Sequence, residues 1–397
     1  MARAQEFPQQ RDNMEVNSTR ALVYHWRIFR IIGLHPPPRN TMWGRHYSAY
    51  SVVWHTVFHF CLWVSFSVNF LLSNSLETFC ESLCVTMPHT LYMLKICNVY
   101  RVHDELLHSH RVFRHLDSRL SCSMEVQIVE EGVARAEFIF KFIVRGILAV
   151  LVVGILYIGL ASEPTLMYPS WIPWNWTGSF SAYLPTVTLH TSAIIETSVV
   201  VLTTSTYPGT YLLLLSAHTK ALAWRVASLG HNDPLPAHRV QALLAGYIQD
   251  HQIILHLFKS LERSLSMTCF LQFFCTACAQ CTISYFLLFE EIGVMRFANM
   301  LFLLVAFTTE TLLLCYTAEI LCQEGESLLD AVYSCNWLDQ SIQFRRLVLL
   351  MLVRCQKPMI LVSGVIVPIS MKTFLVVVKG AYSMLTLLNE MRKTSLE

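Results

Sequence analysis

The stretch "FIFKFIVRGILAVLVVGILYIGLASEPTLMYPSWIPWNWTGS", residues 138–179, decides how this chain is read. Its first part, 138–160, is an apolar run long enough to cross a bilayer, which takes about 20 residues as a helix. The segment that follows, 161–183, contains no Lys or Arg and carries the acceptor triplet Asn175-Trp176-Thr177. A hydrophobic crossing followed by a loop without basic residues is the pattern of a chain leaving the cytosol.

Six more such runs lie at 48–72, 79–100, 184–215, 265–289, 297–322 and 359–388. The chain has 397 residues, 54% hydrophobic and only 14% charged, against roughly 25% charged in an average soluble domain. Polytopic membrane protein is the class this composition predicts. The net charge of +2 suggests no nucleic-acid partner. The polar first twenty residues lack the apolar core of a cleavable signal, so the first span is expected to direct its own insertion.

Basic residues order the spans. Seven arginines precede the first one: Arg3, Arg11, Arg20, Arg27, Arg30, Arg39 and Arg45. The 101–137, 216–263 and 323–357 loops are basic as well, whereas those near 73–78, 161–183 and 290–295 have no Lys or Arg. The alternation predicts a cytoplasmic amino terminus and an extracellular carboxyl terminus. Asn175 then falls outside and is a glycosylation candidate, while the Asn17-Ser18-Thr19 triplet falls inside. A G-protein-coupled receptor runs the other way, and the chain lacks the Asp-Arg-Tyr and Asn-Pro-x-x-Tyr motifs of that class.

Other chemistry is absent or weak. None of the 13 cysteines falls in a segment placed outside, so free thiols are expected. Cys275-x-x-Cys278-x-x-Cys281 mimics an iron–sulfur spacing but lies in a span, where small-residue packing is the simpler reading; no metal or cofactor is expected. His55 and His59, four apart, also read as packing. There is no nucleophile elbow, phosphate loop or pair of catalytic carboxylates, so the chain is not expected to be an enzyme. No internal repeat supports a secondary transporter. Glu81, His89, Lys95, His190, Glu196, Glu310 and Glu319 interrupt the spans, and such groups should face protein or a water-filled cavity. The segments 102–120, 247–265 and 341–355 show apolar residues at helical spacing among charges, predicting helices that project into a cytoplasmic layer. Leu347, Leu350, Leu352 and Val353 exceed what one short helix buries alone, which points to a subunit contact.

At the carboxyl end, "AVYSCNWLDQSIQFRRLVLLMLVRCQKPMILVSGVIVPISMKTFLVVVKGAYSMLTLL" (331–388) resembles the signature of the insect odorant receptors. The matching elements are Tyr333, Cys335-Asn336-Trp337, Phe344-Arg345, Gln356 with Pro358, Ser370 with Thr373-Phe374, and Tyr382-Ser383 followed by Thr386-Leu387-Leu388. "YHWRIFRIIGLHPP" (24–37) and "YPGTYLLLLSAHTKAL" (207–222) match as well. Gustatory receptors share the same topology and are the nearest alternative.

The resemblance implies an all-α, seven-transmembrane helical bundle that acts as an odorant-gated, non-selective cation channel. It implies a heterotetramer with a shared odorant co-receptor in the plasma membrane of olfactory neuron dendrites. The division it implies is a cytoplasmic segment 1–47, a bundle 48–322, a cytoplasmic anchor 323–358, a pore-lining helix 359–390 and an extracellular tail 391–397. Tyr333, Trp337, Phe344, Arg345, Gln356 and Pro358 would serve the anchor. Tyr382, Leu385, Leu388 and Asn389 would line the pore, closed by leucines through dewetting; leucines in a span also commonly face lipid. Lys372 and Lys379, on one face, are expected to pair with Glu310 or Glu319 or to reach the headgroups. Volatile odorants would bind among Met87, Thr90, Val150, Val153, Tyr157, His190, Ile194, Phe297 and Met300, mostly through apolar burial.

Overall fold

A computed structural model describes residues 16–38, 40–74, 76–161, 163–231, 236–289, 293–364 and 367–396. Of these, the side chains of Leu76, Glu77, Cys80, Met384, Leu388 and 391–396 lie outside the description. Almost everything is helix. A 3₁₀ turn, Ser18–Leu22, leads into α1 (Val23–Ile31). Next come α2 (Met42–Trp54) and α3 (Cys61–Leu71), joined without a break by a π-helical turn, His55–Phe60. Four very long helices and one more follow: α4 (Leu76–Asp117), α5 (Ser123–Leu160), α6 (Phe180–Ala227), α7 (Ala237–Phe289) and α8 (Val294–Ser334). The chain closes with α9 (Ile342–Cys355), a two-residue antiparallel hairpin of β1 (Val362–Ser363) and β2 (Val367–Pro368), and α10 (Met371–Leu396).

Length explains the layering. At 1.5 Å per residue the 53 residues of α7 reach about 80 Å, more than twice a hydrocarbon core of roughly 30 Å. The segments 102–120 and 247–265 are indeed continuations of α4 and α7, up to Asp117 in the first case. Among the described residues, five helices are long and apolar enough to cross a membrane: Met42–Leu71, α5, α6, α7 and α8. The second and seventh expected spans are α4 and α10. Glu81, His89 and Lys95 interrupt α4, and part of α10's apolar stretch lies outside the described side chains.

The last span differs from the expected 359–388: helix begins only at Met371. Pro358 and Pro368 lack the N–H a helix requires, and Gly364 turns the hairpin at φ 57°, a left-handed conformation that favours glycine.

The helices are buried unequally. In its most apolar window α5 is 17% buried within the chain and α7 56%. The apolar surface of α5 therefore needs lipid or another partner, while α6 and α7 form the trunk. The main core joins α4, α6, α7 and α8 around Phe113, Tyr207 and Tyr211, and is roofed by Leu22 and Phe29 on one side and Phe344 and Val348 on the other. On α6, buried Thr203, Thr204 and Thr206 stay satisfied because each donates to the carbonyl four residues back.

At the end of the bundle that carries the basic segments, charges are paired in the interior. Arg225 Nη1 is 2.8 Å from Asp250 Oδ2 and its Nη2 is 2.9 Å from Glu125 Oε2. Arg119 also pairs with Asp250, and the Arg225 guanidinium lies 5.3 Å from the Tyr247 ring centre. Asp117 accepts from the Ser18 amide (3.0 Å) and hydroxyl (2.9 Å), tying the amino-terminal turn to α4. The twelve described cysteines are free.

Candidate functional site

At the other end, the helices splay and the 161–179 loop folds back between them, leaving three cavities. The inner one, about 140 Å³, lies between α4, α5, α6 and α8. Its walls are mostly apolar, with Phe66, Tyr92, Leu151 and Phe307 among them, and its deep end holds Lys95 and Glu310. A cavity of about 150 Å³ admits a benzene-sized guest. Pro88, which breaks the hydrogen-bond ladder of α4, also stands in this wall.

The buried charges are not isolated. The Lys95 ammonium donates to Gln272 Oε1 and lies 3.4 Å from Ser205 Oγ, and Gln272 Nε2 donates to Glu310 Oε2 at 3.1 Å. One glutamine thus bridges ammonium and carboxylate across α4, α7 and α8, as buried charge requires. The sequence expectation that span-interrupting polar groups face cavities or protein fits this placement: His89, Lys95 and Glu310 line the inner cavity.

A second cavity of about 310 Å³, more polar, lies on the loop side of the first. Arg296 Nη1 is 3.3 Å from Glu81 Oε1 there, and its Nη2 donates to Tyr157 Oη at 3.2 Å. A third, about 430 Å³, opens between α3, the start of α6 and the tryptophans Trp171 and Trp174. His190 lines it and shares a 2.8 Å hydrogen bond with Ser170.

The nine ligand candidates are thereby divided. Val150 and Ile194 line the inner cavity, Tyr157 and Met300 the loop-side one, and His190 the third. Met87 packs on Leu91, Leu271 and Cys275. Thr90 accepts from the Trp63 indole at 3.0 Å and donates to the Thr86 carbonyl. Val153 is half-buried and lines none of the three, and Phe297 is 42% exposed on the outside of α8. Helical spacing places residues on a face but not against a given neighbour, so half-span membership grouped residues that the tertiary fold separates. Met167, Tyr168 and Phe307 were not singled out; the apolar cluster "LMYPSWIPW" (166–174) inside a loop was the signal available for the first two.

On α10, Tyr382, Leu387, Val376 and Leu375 are exposed, while Leu385 and Asn389 are half-buried. The Leu388 side chain lies outside the description. Glu319 Oε2 accepts from the Met371 amide at 3.3 Å, placing a carboxylate at the positive end of α10. The expected pairing of Lys372 or Lys379 with Glu310 or Glu319 does not occur: both lysines are exposed, Glu310 is bonded to Gln272, and Glu319 to α10's own backbone. The late start of α10 explains this, because a helix beginning at Met371 offers Glu319 an unsatisfied N–H before it offers a lysine.

The anchor candidates also separate. Phe344 is buried with Val348, Met351 and Cys355 on the inner face of α9, whereas Ile342, Leu349, Leu350 and Val353 on its other face are 59–67% exposed. Tyr333 is 67% exposed, with the Trp337 indole donating to its carbonyl. Arg345 donates to the Gln340 carbonyl, and Gln356 and Pro358 are exposed. Asn175 is exposed, its Oδ1 accepting from Thr177 at 3.2 Å.

The family profile described as "7tm Odorant receptor" matches residues 75–382. "Putative odorant receptor 19b" of Drosophila melanogaster is 71% identical over 386 residues, covering 97% of this chain and 100% of that protein. "Odorant receptor 19a" of the same species is 70% identical over the same length, with the same coverage. The solved insect olfactory receptor OR5 of Machilis hrabei superposes with a TM-score of 0.82 at 15% identity, covering 93% of this chain and 97% of that one. Its complex with eugenol gives 0.77 at 14% identity, covering 95% and 100%. The fold is therefore that of a multi-pass membrane receptor, and this chain belongs to the insect odorant receptor family.

Proposed function

We propose that this receptor is an odorant-gated cation channel subunit that works with the shared odorant co-receptor in a heterotetramer. Its amino terminus faces the cytosol and its carboxyl terminus the exterior of an olfactory neuron's dendritic plasma membrane. The observation that carries the reading is a mostly apolar inner cavity ending at Lys95 of α4 and Glu310 of α8, the latter on the same helix whose Glu319 holds the start of α10. A volatile entering among Val150, Ile194 and Phe307 gains affinity by apolar burial. It opens the channel only to the extent that it binds the open arrangement better than the closed one.

The exposed apolar face of α10 then meets the last helices of other subunits around an ion path, with Leu385 and Leu388 as the dewetting constriction and Tyr382 and Asn389 beside it. The exposed leucine and valine face of α9, with Tyr333, Trp337, Arg345, Gln356 and Pro358 at its borders, forms the subunit contact, and Phe344 sets α9 in place from within. Glycosylation of Asn175 follows from the same orientation.

The test is co-expression with the co-receptor in cells lacking both, recording odorant-evoked current while G-protein signalling is blocked. Persistent current is expected, and Leu385→Ala should raise leak or alter permeability. Current that vanishes under the block, or an amino-terminal tag stained on intact cells, overturns the reading.

A further inference from the structure

The 161–179 loop buries Leu166, Met167 and Tyr168, side chains that a loop ordinarily leaves in water. Met167 is 5% exposed and Tyr168 9%. Both line the inner cavity and the loop-side cavity together, so they form the wall between an apolar chamber and a polar one. Met167 reaches this position because residue 154 of α5 is glycine: a Cβ there would lie 2.3 Å from Met167 Cε. The loop backbone is pinned nearby, since Ser170 Oγ bonds the Tyr168 carbonyl at 3.1 Å and His190 Nε2 at 2.8 Å. The wall is therefore a fixed backbone carrying one unbranched thioether side chain, which changes shape at little cost.

We propose that Met167, seated on Gly154, is a specificity-determining partition that sets the largest guest the inner chamber accepts. The guest is an apolar or singly oxygenated volatile, matched to mostly apolar walls whose polar members include His89, Thr197, Ser198, Lys95 and Glu310. With Met167 in place the chamber suits a single-ring molecule, and a larger guest is admitted by displacing the thioether towards the Arg296 side. The proposal rests on the odorant reading above and deepens it.

The test uses the full receptor with its co-receptor and alkylbenzenes graded from toluene to hexylbenzene, reading half-maximal concentration against size. Met167→Ala joins the chambers and moves the optimum to longer chains, with a gain of about fourfold per newly buried methylene. Gly154→Ala drives the thioether into the chamber and weakens the longer members most. An optimum unmoved in both variants, each at the surface and conducting, overturns the partition. A binding arm needs no current: in purified Met167→Cys receptor, toluene slows modification of the new thiol by a small maleimide relative to the same receptor without toluene, the Met167 receptor giving the background from the native cysteines. Equal modification with and without toluene overturns the proposal. A Met167→Cys receptor whose thiol toluene protects, while the receptor gives no odorant-evoked current with its co-receptor, sinks the channel reading and leaves the partition standing.

Discussion

The two ends of the same long helices are packed in opposite ways. Around the 161–179 loop, α3 to α6 and α8 splay over cavities whose walls are apolar and partly adaptable. Around the inner ends of α4 to α7, the core is continuous and every side chain of the Arg225–Glu125–Asp250–Arg119 group meets an opposite charge. A cavity removes contacts that would otherwise resist deformation, whereas breaking a buried charge pair is costly. The hollow end is suited to changing shape around a guest. The dense end is suited to holding helices in register while that happens.

This contrast can be broken by mutation, most severely at the dense end. Arg225→Ala removes the cationic partner of buried Glu125 and leaves Asp250 to Arg119 alone, and should cost about 3–5 kcal/mol, read as loss of folded receptor in detergent melts and at the cell surface. An Arg225→Ala receptor that melts like wild type would show that the charge cluster is not what holds this end.

Filling the hollow end should do the reverse. Ala306 is half-buried in the inner-cavity wall, and Ala306→Phe should lower odorant sensitivity at least about tenfold while leaving the melting temperature unchanged or raised. A large drop in stability with normal sensitivity would remove the distinction between the two ends.

A smaller effect concerns pH. His35 Nδ1 is 2.9 Å from His103 Nε2, and the Trp26 indole donates to His110, which requires that ring to be neutral. Burial, with the neighbouring His103 and Arg30 charges, pushes His35 down to about 4. Burial, with Arg114 and His35, does the same to His110. In the unfolded chain both protonate near 6.5, so their contribution is complete above that pH and is lost as pH falls from 6.5 towards 4. Melting in detergent across this window should show the decline, and His110→Asn should make it shallower, His35 still contributing. The smallest effect is expected at Arg20, an exposed side chain paired with Glu130 and Glu137: Arg20→Ala should cost less than about 1 kcal/mol in the same melts.

Much of the fold was readable from residue order. The spans at 138–160, 184–215 and 265–289 are apolar runs that must be helical wherever water is excluded, because a backbone in hydrocarbon satisfies its own hydrogen bonds only that way. The charged continuations keep the helical period and are helical over 102–117 and 247–265. The start of the last helix was misplaced because its apolar composition continues through Pro358, Gly364 and Pro368, where backbone geometry rather than hydropathy decides. The candidate site was less legible. Lys95 and Glu310 stood out as charges in apolar spans, but their bridge through Gln272 joins positions 177 and 38 residues apart. No local pattern encodes such a contact.

The sequence by itself determined that this chain is a helical membrane receptor of its family, since hydropathy, charge alternation and the 331–388 signature are properties of residue order. Only the tertiary structure decided which half-span residues share a cavity, that Met167 rather than a helix residue divides two of them, and that Glu319 meets the backbone of α10 instead of a lysine. Hydrophobic burial is non-directional and can be read along a chain. Cavities and buried polar contacts depend on how helices from distant parts of the chain are set against each other.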